Sequence, residues 1–323
     1  MAAGASRPLI AIVEGLAKGG LLLGGYISSF IAHRLGNKKT VVMGYSLSVL
    51  SKIAVAVLYI AAPIFALMAP FRILERVGKG IRGPARDAII SKEKKTRAAF
   101  SLRQMADRLG GLLGAAACIG LYQLTHNIVL SLAMAGVFGL VGIVPTLFVD
   151  EGGKPPVKKD LPPFHLPAFL MGASLYSPLS SMLKFSNTGE MPIYLFIYYL
   201  GGLLPTLIYP RTKKSDKTLM LLGIVIFAIA SIIITWVAHP IVFLLTGFGL
   251  YLNRLASRGY VKNSSDGLVE DYASFNFSYS LGRVLSDILI GALWHVAIAG
   301  IPVAYLMPAL FGLLAVIFLH IRL

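Results

Sequence analysis

Apolar residues along this chain lie in long runs that short polar connectors separate. Eleven runs of 18 to 27 residues are present, at 9–32, 40–61, 64–90, 100–122, 128–149, 166–183, 192–209, 219–237, 241–258, 273–297 and 302–321. About 20 apolar residues are enough for an α-helix to cross the hydrocarbon core of a bilayer. The pattern therefore predicts an all-α polytopic membrane protein with eleven transmembrane helices.

The connectors alternate between basic and nearly uncharged. The basic ones contain, among others, Arg34, Lys92, Lys154, Arg211, Arg254 and Arg322. The connectors between them contain Lys184 as their only basic residue. Because cytoplasmic loops of membrane proteins are enriched in Lys and Arg, we expect the basic loops and the C-terminus on the cytoplasmic side of the cell membrane. The N-terminus is then expected outside.

Composition supports a chain folded in lipid. Of the 323 residues, 56% are hydrophobic and 14% are charged, and the mean hydropathy is +0.76. Soluble domains have about 25% charged residues, so the composition excludes a soluble enzyme and a disordered chain. The net charge of +16 comes mostly from the basic loops, which removes the reason to expect a nucleic-acid partner. Cys118 is the only cysteine, which excludes a disulfide framework and a cysteine metal site.

The two halves of the chain look like copies of each other, offset by about 177 residues. Five late spans fall on the first five under this offset. Leu74-Glu75-Arg76 then aligns with Leu252-Asn253-Arg254. The Arg–Asp spacing of four that begins at Arg103 aligns with the one that begins at Arg283. Parallel repeats of this kind occur in secondary transporters, although regular helix spacing alone is the alternative explanation.

The repeat predicts the domain organisation. We expect an N-terminal bundle at 1–149, a cytoplasmic linker at 150–163 and a C-terminal bundle at 164–323. The span 166–183 has no counterpart in the first half, which predicts a twelve-helix architecture without its first helix. A start site placed too far downstream and a truly shortened family member both remain open as explanations.

Charged residues give the third span one cationic face. Arg72, Arg76, Lys79 and Arg86 share this face at helical pitch. A charge at the bilayer centre costs about 2.5–3.5 kcal/mol on insertion scales, so such residues face the protein interior or water. Guanidinium groups bind carboxylates and phosphates in two-pronged geometry. We therefore predict that an anionic solute binds here, at Arg72, Arg76, Lys79, Lys18 and Lys52. For Arg82 and Arg86, a solvated position at the membrane surface is the alternative.

The same segment carries a recognisable motif, ERVGKGIRGPARDAII. It resembles the fourth helix of a prokaryotic subgroup of the major facilitator superfamily (MFS), whose pattern is Arg-x-x-Asp-Arg-x-Gly-Lys-Gly-Ile-Arg-x-x-Pro-Arg-Asp-Ala. Glu75 replaces the usual aspartate, and the proline is displaced by one, to Pro84. The resemblance implies the two-bundle fold of an MFS transporter and a gating or motif role for Glu75, Gly78, Gly80, Arg82, Arg86, Asp87 and Arg254.

The loop after the first span resembles a second motif of this superfamily. There the resemblance implies an aspartate that helps to latch the cytoplasmic gate. His33 stands in its place, followed by Arg34 and Gly36. A histidine at this position predicts a gate that is sensitive to pH near neutrality, and a surface histidine without a special role is the alternative.

Three carboxylates within the spans are candidates for carrying a coupling proton: Glu14, Asp107 and Asp287. Each also has a structural explanation, because a basic residue lies four positions away, at Lys18, Arg103 and Arg283.

The sequence as a whole predicts an MFS permease. It would move a small anionic or amphiphilic solute or a drug by alternating access, as an efflux protein or antiporter coupled to protons. We expect a monomer in the lipid bilayer, with no cofactor, no metal and no catalytic residue. A membrane-embedded lipid-modifying enzyme and a truncated, non-transporting MFS remnant are the alternatives.

Overall fold

The computed structural model describes residues 7–62, 64–127, 165–177, 191–237, 239–298 and 301–322, together with a few isolated positions. Within these residues the chain forms helices and one short hairpin. They are α1 (Arg7–Leu35), α2 (Asn37–Ala61), α3 (Phe65–Ile90), α4 (Thr96–Thr125), α5 (His165–Ala173), α6 (Met191–Ile208), α7 (Asp216–Ile233), α8 (Pro240–Ser264), α9 (Val269–Ala292), β1 (Ala297–Ile298), β2 (Ile301–Pro302) and α10 (Val303–Arg322).

The predicted all-α class is confirmed, and ten of the eleven predicted spans contain a helix in the described residues. The other span, 128–149, lies largely outside them. Several predicted ends differ from the helix ends: the helix in the span 166–183 ends at Ala173, the one in 219–237 ends at Ile233, and the one in 241–258 continues to Ser264. The span predicted to run to residue 297 ends at Ala292, and β1 then pairs antiparallel with β2. Hydrophobicity could not mark this end because the apolar run continues through the turn.

Three described helices, α2, α7 and α8, are long and apolar enough to cross a membrane by length and composition alone. Two shorter apolar helices lie at Ile193–Ile208 and Val303–Leu319. α3 differs because its charged face lowers its mean hydropathy, although its 26 residues would span the hydrocarbon core.

Contacts divide the chain into two compact units. Unit 1 contains Met1–Ile89, Leu113–Pro162 and Gly267–Phe277, and unit 2 contains Ile90–Leu112, Pro163–Asp266 and Ser278–Leu323. α4 and α9 therefore contribute residues to both units. The predicted division of the sequence into two bundles, with boundaries at residues 149 and 164, stays a prediction.

Glycines bring the helices of unit 1 into backbone contact. A Cβ atom added to Gly78 of α3 would lie 2.6 Å from the carbonyl oxygen of Gly44 in α2. One added to Gly80 would lie 2.2 Å from the carbonyl oxygen of Leu21 in α1. α3 thus packs through its glycines against both earlier helices, as small residues allow in membrane proteins. This packing fixes where its charged face lies.

Unit 2 uses the same device between its corresponding helices. A Cβ atom on Gly249 of α8 would lie 2.7 Å from the carbonyl oxygen of Gly223 in α7. On the opposite side of α8, a Cβ atom on Gly247 would lie 2.1 Å from the carbonyl oxygen of Tyr198 in α6. α8 therefore occupies in unit 2 the central position that α3 has in unit 1.

Candidate functional site

Glu75 is the centre of the charged face of α3. Its side chain is 4% exposed, and its carboxylate forms salt bridges with Arg72, three residues earlier, and with Lys79, four residues later. The Lys79 Nζ atom lies 2.6 Å from Glu75 Oε1. Both partners of Glu75 therefore lie about one helical turn away from it on α3, one before it and one after it.

Two further cations surround this pair. Arg76 interacts electrostatically with Glu75 and Lys79, and Lys52 of α2 lies close enough to Lys79 for the two ammonium groups to repel each other. We name these five residues the Glu75 cluster. The predicted anion-binding residues Arg72, Arg76, Lys79 and Lys52 are thus brought together, and one carboxylate offsets part of their charge.

The rest of the α3 motif takes part in packing. The Arg82 guanidinium lies over the ring of Tyr45, with its Cζ atom 3.9 Å from the ring centroid. Asp87 is buried, and the Nε atom of Arg86 is 3.7 Å from its carboxylate. Arg82 and Arg86 are half-buried, so a fully solvated position does not describe either of them.

The loop motif also has a definite geometry. Gly36 links α1 to α2 with φ of 86°, a left-handed conformation that favours glycine. Arg34 lies over the ring of Phe30, with its Cζ atom 4.2 Å from the centroid. The Nε2 atom of His33 is 2.5 Å from Oε1 of Glu270, in the first turn of α9. The sequence singled out His33 but not its partner, which lies more than 200 residues away.

Unit 2 contains a denser network at the start of α7. Asp216 is buried there and forms a salt bridge of 2.7 Å with Arg97 of α4. It also accepts hydrogen bonds from the Tyr209 hydroxyl group, at 2.9 Å, and from the Asn263 amide, at 2.6 Å. Arg97 in turn donates to the backbone oxygens of Thr212 and Lys214. None of these contacts was predicted.

The three candidate proton carriers have different surroundings. Asp107 is partly exposed and accepts a hydrogen bond of 2.7 Å from Arg103, as the structural explanation expects. Asp287 is half-buried and accepts a hydrogen bond of 3.0 Å from the backbone N–H group of Ser177. The side chain of Glu14 lies outside the described residues, so its pairing with the half-buried Lys18 stays a prediction.

A second group of cations lies in unit 2, around Tyr251 of α8. Arg108 of α4 donates a hydrogen bond to the Tyr251 hydroxyl group, and its Cζ atom lies 4.3 Å from the ring centroid. Arg254 of α8 lies 5.4 Å from the same centroid. Arg283 of α9 is close enough to Arg254 for the two guanidinium groups to repel each other. We name these four residues the Tyr251 cluster.

Further phenols and amides line the Tyr251 cluster. Tyr198 donates a hydrogen bond of 3.3 Å to the Tyr251 hydroxyl group, and Tyr279 interacts with both Arg254 and Arg283. Asn253, fully buried, accepts from Tyr279 at 3.4 Å and donates to the backbone oxygen of Met220 at 3.2 Å. One of these guanidinium groups, that of Arg283, also interacts with the carboxylate of Asp287.

Sequence analysis named Arg254, Arg283, Asn253 and Asp287 singly but missed their assembly around Tyr251. Arg254 was assigned to a motif, and Arg108 and Arg283 were not predicted to bind solute. The alignment of Leu74-Glu75-Arg76 with Leu252-Asn253-Arg254 carried the signal, because an amide there replaces the acid of the first half. Within the described residues, no group of three or more His, Cys, Asp or Glu side chains is placed to hold a metal ion.

Comparison with known proteins places the chain in a family. The sequence model described as Major Facilitator Superfamily matches residues 2–286. An uncharacterised MFS-type transporter of Methanocaldococcus jannaschii is 26% identical over 314 residues, an alignment that covers 86% of this chain and 76% of that protein.

Solved structures agree on the fold. The proton:xylose symporter XylE superposes with a TM-score of 0.75 at 13% identity, over 98% of this chain and 87% of that one. The human organic anion transporter MFSD10 superposes with a TM-score of 0.70 at 13% identity, over 96% and 83%. The fucose:proton symporter FucP of E. coli gives 0.68 at 13% identity, over 97% and 91%. The chain is an integral membrane protein with the MFS fold, a transporter and not an enzyme, and it belongs to the major facilitator superfamily.

Proposed function

We propose that this protein is a secondary active transporter that moves a small anionic solute by alternating access. The observation that carries the proposal is the clustering of cations within its helices. Among the described residues, the Glu75 cluster groups four cations around one acid, and Arg108 and Arg254 of the Tyr251 cluster have no carboxylate within salt-bridge distance. Charged side chains within a membrane protein are costly, and they mark the path of a substrate or ion.

The cationic face of α3 supplies the first contacts in this proposal. Arg72, Arg76 and Lys79, with Lys18 and Lys52, attract the negative charge of the solute. Glu75 holds Arg72 and Lys79 in place when no solute is bound, and the solute competes with it for them. Movement between the two open states, rather than binding itself, is the role of the remaining motif residues: His33, Arg34, Gly36, Gly78, Gly80, Arg82, Arg86 and Asp87.

Asp287 is the best placed of the three candidates for a coupling proton. It lies beside Arg283, so a proton on Asp287 removes a competitor for that guanidinium group. Asp107 already pairs with Arg103 at a partly exposed position. Coupled uptake of a proton and an anion would also keep the transported charge small. Two of the structural neighbours are named as proton symporters and one as an organic anion transporter, but at 13% identity they support the fold alone.

The alternation of basic and uncharged connectors supports a cytoplasmic position for the basic loops and the C-terminus, as in the sequence prediction. Two copies are not needed to build either cluster, which is consistent with a monomeric transporter.

Counterflow in proteoliposomes tests the proposal. The vesicles are loaded with succinate, phthalate or phenyl phosphate, and uptake of the labelled anion is followed with and without an imposed proton gradient. We expect saturable counterflow that Arg72→Ala lowers at least tenfold, because it removes a cation that contacts the solute. Arg211→Gln, in an exposed loop, is the control for a lost charge.

Absence of counterflow for every anion, with the protein folded and inserted, would contradict the proposal and favour the non-transporting remnant. Counterflow that a proton gradient leaves unchanged would remove only the coupling step.

A further inference from the structure

We infer that the Tyr251 cluster is a binding site for the acidic group of a small organic anion, a carboxylate or a phosphate ester, held by Arg108, Arg254 and Arg283. This inference rests on the proposed function and names the part of the molecule that recognises the solute. Its site lies within unit 2, on α4, α8 and α9, and is separate from the cationic face of α3.

The first argument is the lack of counter-charge. Among the described residues, Arg108 and Arg254 have aromatic and hydroxyl partners but no carboxylate within salt-bridge distance. The Nε atoms of Arg108 and Arg283 are buried without a hydrogen-bond partner in the same part of the chain. A buried donor without an acceptor costs free energy, so these atoms indicate a missing acceptor.

The second argument is the placement of the guanidinium groups. Arg254 and Arg283 come from different helices and repel each other. An oxyanion between them would turn this repulsion into attraction, and each group could bind it in the two-pronged geometry that carboxylates and phosphates share. Both side chains are half-buried, so part of each surface stays accessible to a solute.

The third argument is the arrangement of the hydroxyl groups. The Tyr251 oxygen accepts hydrogen bonds from Arg108 and from Tyr198, and no described residue accepts the hydrogen of Tyr251 itself. That O–H group is therefore a further donor for an oxyanion. The side-chain amide of Gln104 fixes the position of Tyr251 by donating a hydrogen bond of 3.2 Å to its backbone oxygen. A site in which these donors converge favours an anion over a neutral solute.

A purely structural role makes the opposite prediction for stability. If Arg283 serves only to pair with Asp287, its loss removes a favourable electrostatic interaction and lowers the melting temperature Tm. If it belongs to a binding site, its loss relieves repulsion with Arg254, and the Tm without ligand stays the same or rises. Residues that are optimised for binding commonly reduce stability in this way.

Thermal unfolding of the full-length protein in detergent tests the inference, followed by the fluorescence of its two tryptophans. Tm is measured against succinate, phthalate, phenyl phosphate and neutral benzyl alcohol at matched ionic strength, in the wild type and in Arg254→Gln, Arg283→Gln and Arg211→Gln. A ligand that binds the folded state raises Tm in proportion to its affinity and concentration. The phthalate and phenyl phosphate arms separate a carboxylate from a phosphate ligand.

We expect at least one anion, but not benzyl alcohol, to raise the Tm of the wild type and of Arg211→Gln. In Arg254→Gln and Arg283→Gln the apparent Kd should rise at least tenfold, which corresponds to about 1.4 kcal/mol. Arg283→Gln should keep or raise the Tm that is measured without anion.

Three results would overturn the inference: no anion shifts the wild-type Tm, the shift survives in both variants, or Arg283→Gln lowers the anion-free Tm. The counterflow assay separates this failure from that of the proposed function. If the wild type transports anions while both variants bind them normally, only the site assignment fails. If the wild type transports none, the proposed function fails.

Discussion

Glu75 and Asn253 align with each other in the predicted internal repeat, and the charges around them are organised differently. In unit 1, Glu75 forms salt bridges with Arg72 and Lys79 on its own helix. In unit 2, Asn253 uses its amide to bind the backbone of α7 and accepts from Tyr279, so the neighbouring Arg254 gains no acid from it. The acid on α3 thus partly neutralises its neighbouring cations, whereas the amide on α8 leaves Arg254 without a carboxylate within salt-bridge distance among the described residues.

The units also differ in the loop contacts that precede their second helices. In unit 1, His33 at the end of α1 contacts the carboxylate of Glu270. In unit 2, Asp216 at the start of α7 joins Arg97, Tyr209 and Asn263. Unit 1 thus has its best-connected carboxylate within the membrane-spanning part of α3, whereas unit 2 has it at the end of a helix. We therefore expect the stability of unit 1 to depend on contacts in the middle of α3, and that of unit 2 to depend on contacts at the start of α7.

The largest expected effect is that of Glu75→Gln. Removing one partner of a buried ion pair leaves the other charges uncompensated, which costs about 3 kcal/mol, the lower end of the usual range because Arg72 and Lys79 keep some contact with water. The measurement is the free energy of unfolding in mixed detergent micelles. Asp107→Asn is the matched control, since its partly exposed pair with Arg103 should contribute less than about 1 kcal/mol. Equal effects of the two changes would contradict the central role of Glu75.

The next effect compares the two loop contacts. Asp216→Ala leaves Arg97, Tyr209 and Asn263 without their shared acceptor, and we expect a loss of about 2 kcal/mol in the free energy of unfolding. His33→Ala removes one partly exposed contact and should cost less than about 1 kcal/mol. If His33→Ala were the more destabilising change, the Asp216 network would not be the stronger of the two loop contacts, and this difference between the units would be contradicted.

The sequence predicted the Glu75 cluster more completely than the Tyr251 cluster, and the reason is geometric. Arg72, Glu75 and Lys79 are three and four residues apart, so helical pitch alone brings them together. Arg108, Arg254 and Arg283 come from three helices, and only the fold makes them neighbours. The all-α class followed from the apolar runs, because membrane-spanning backbone has few alternatives to a helix.

Other features were beyond sequence reasoning for related reasons. The partner of His33 could not be named, because a contact between α1 and the start of α9 depends on tertiary packing. The end of α9 at Ala292 was missed because the residues that follow it are still apolar. Asn253 was visible in the repeat alignment, but its meaning required the positions of Arg254 and Arg283.

The smallest expected effect comes from making unit 2 resemble unit 1, with Asn253→Asp. The new carboxylate would lie in the same turn as Arg254 and would compete with the solute for the Tyr251 cluster. We expect the apparent Kd for the anion that binds the wild type to rise about tenfold, which equals about 1.4 kcal/mol. Titration of Tm against that anion measures the change, and Asn253→Ala is the control, because it removes the hydrogen bonds to Met220 and Tyr279 without adding charge. If Asn253→Asp binds the anion more weakly than Asn253→Ala does, the added charge is the cause of the effect. If the two variants bind alike, the exchange of acid for amide affects packing alone, and the contrast between Glu75 and Asn253 does not explain why unit 2 attracts anions.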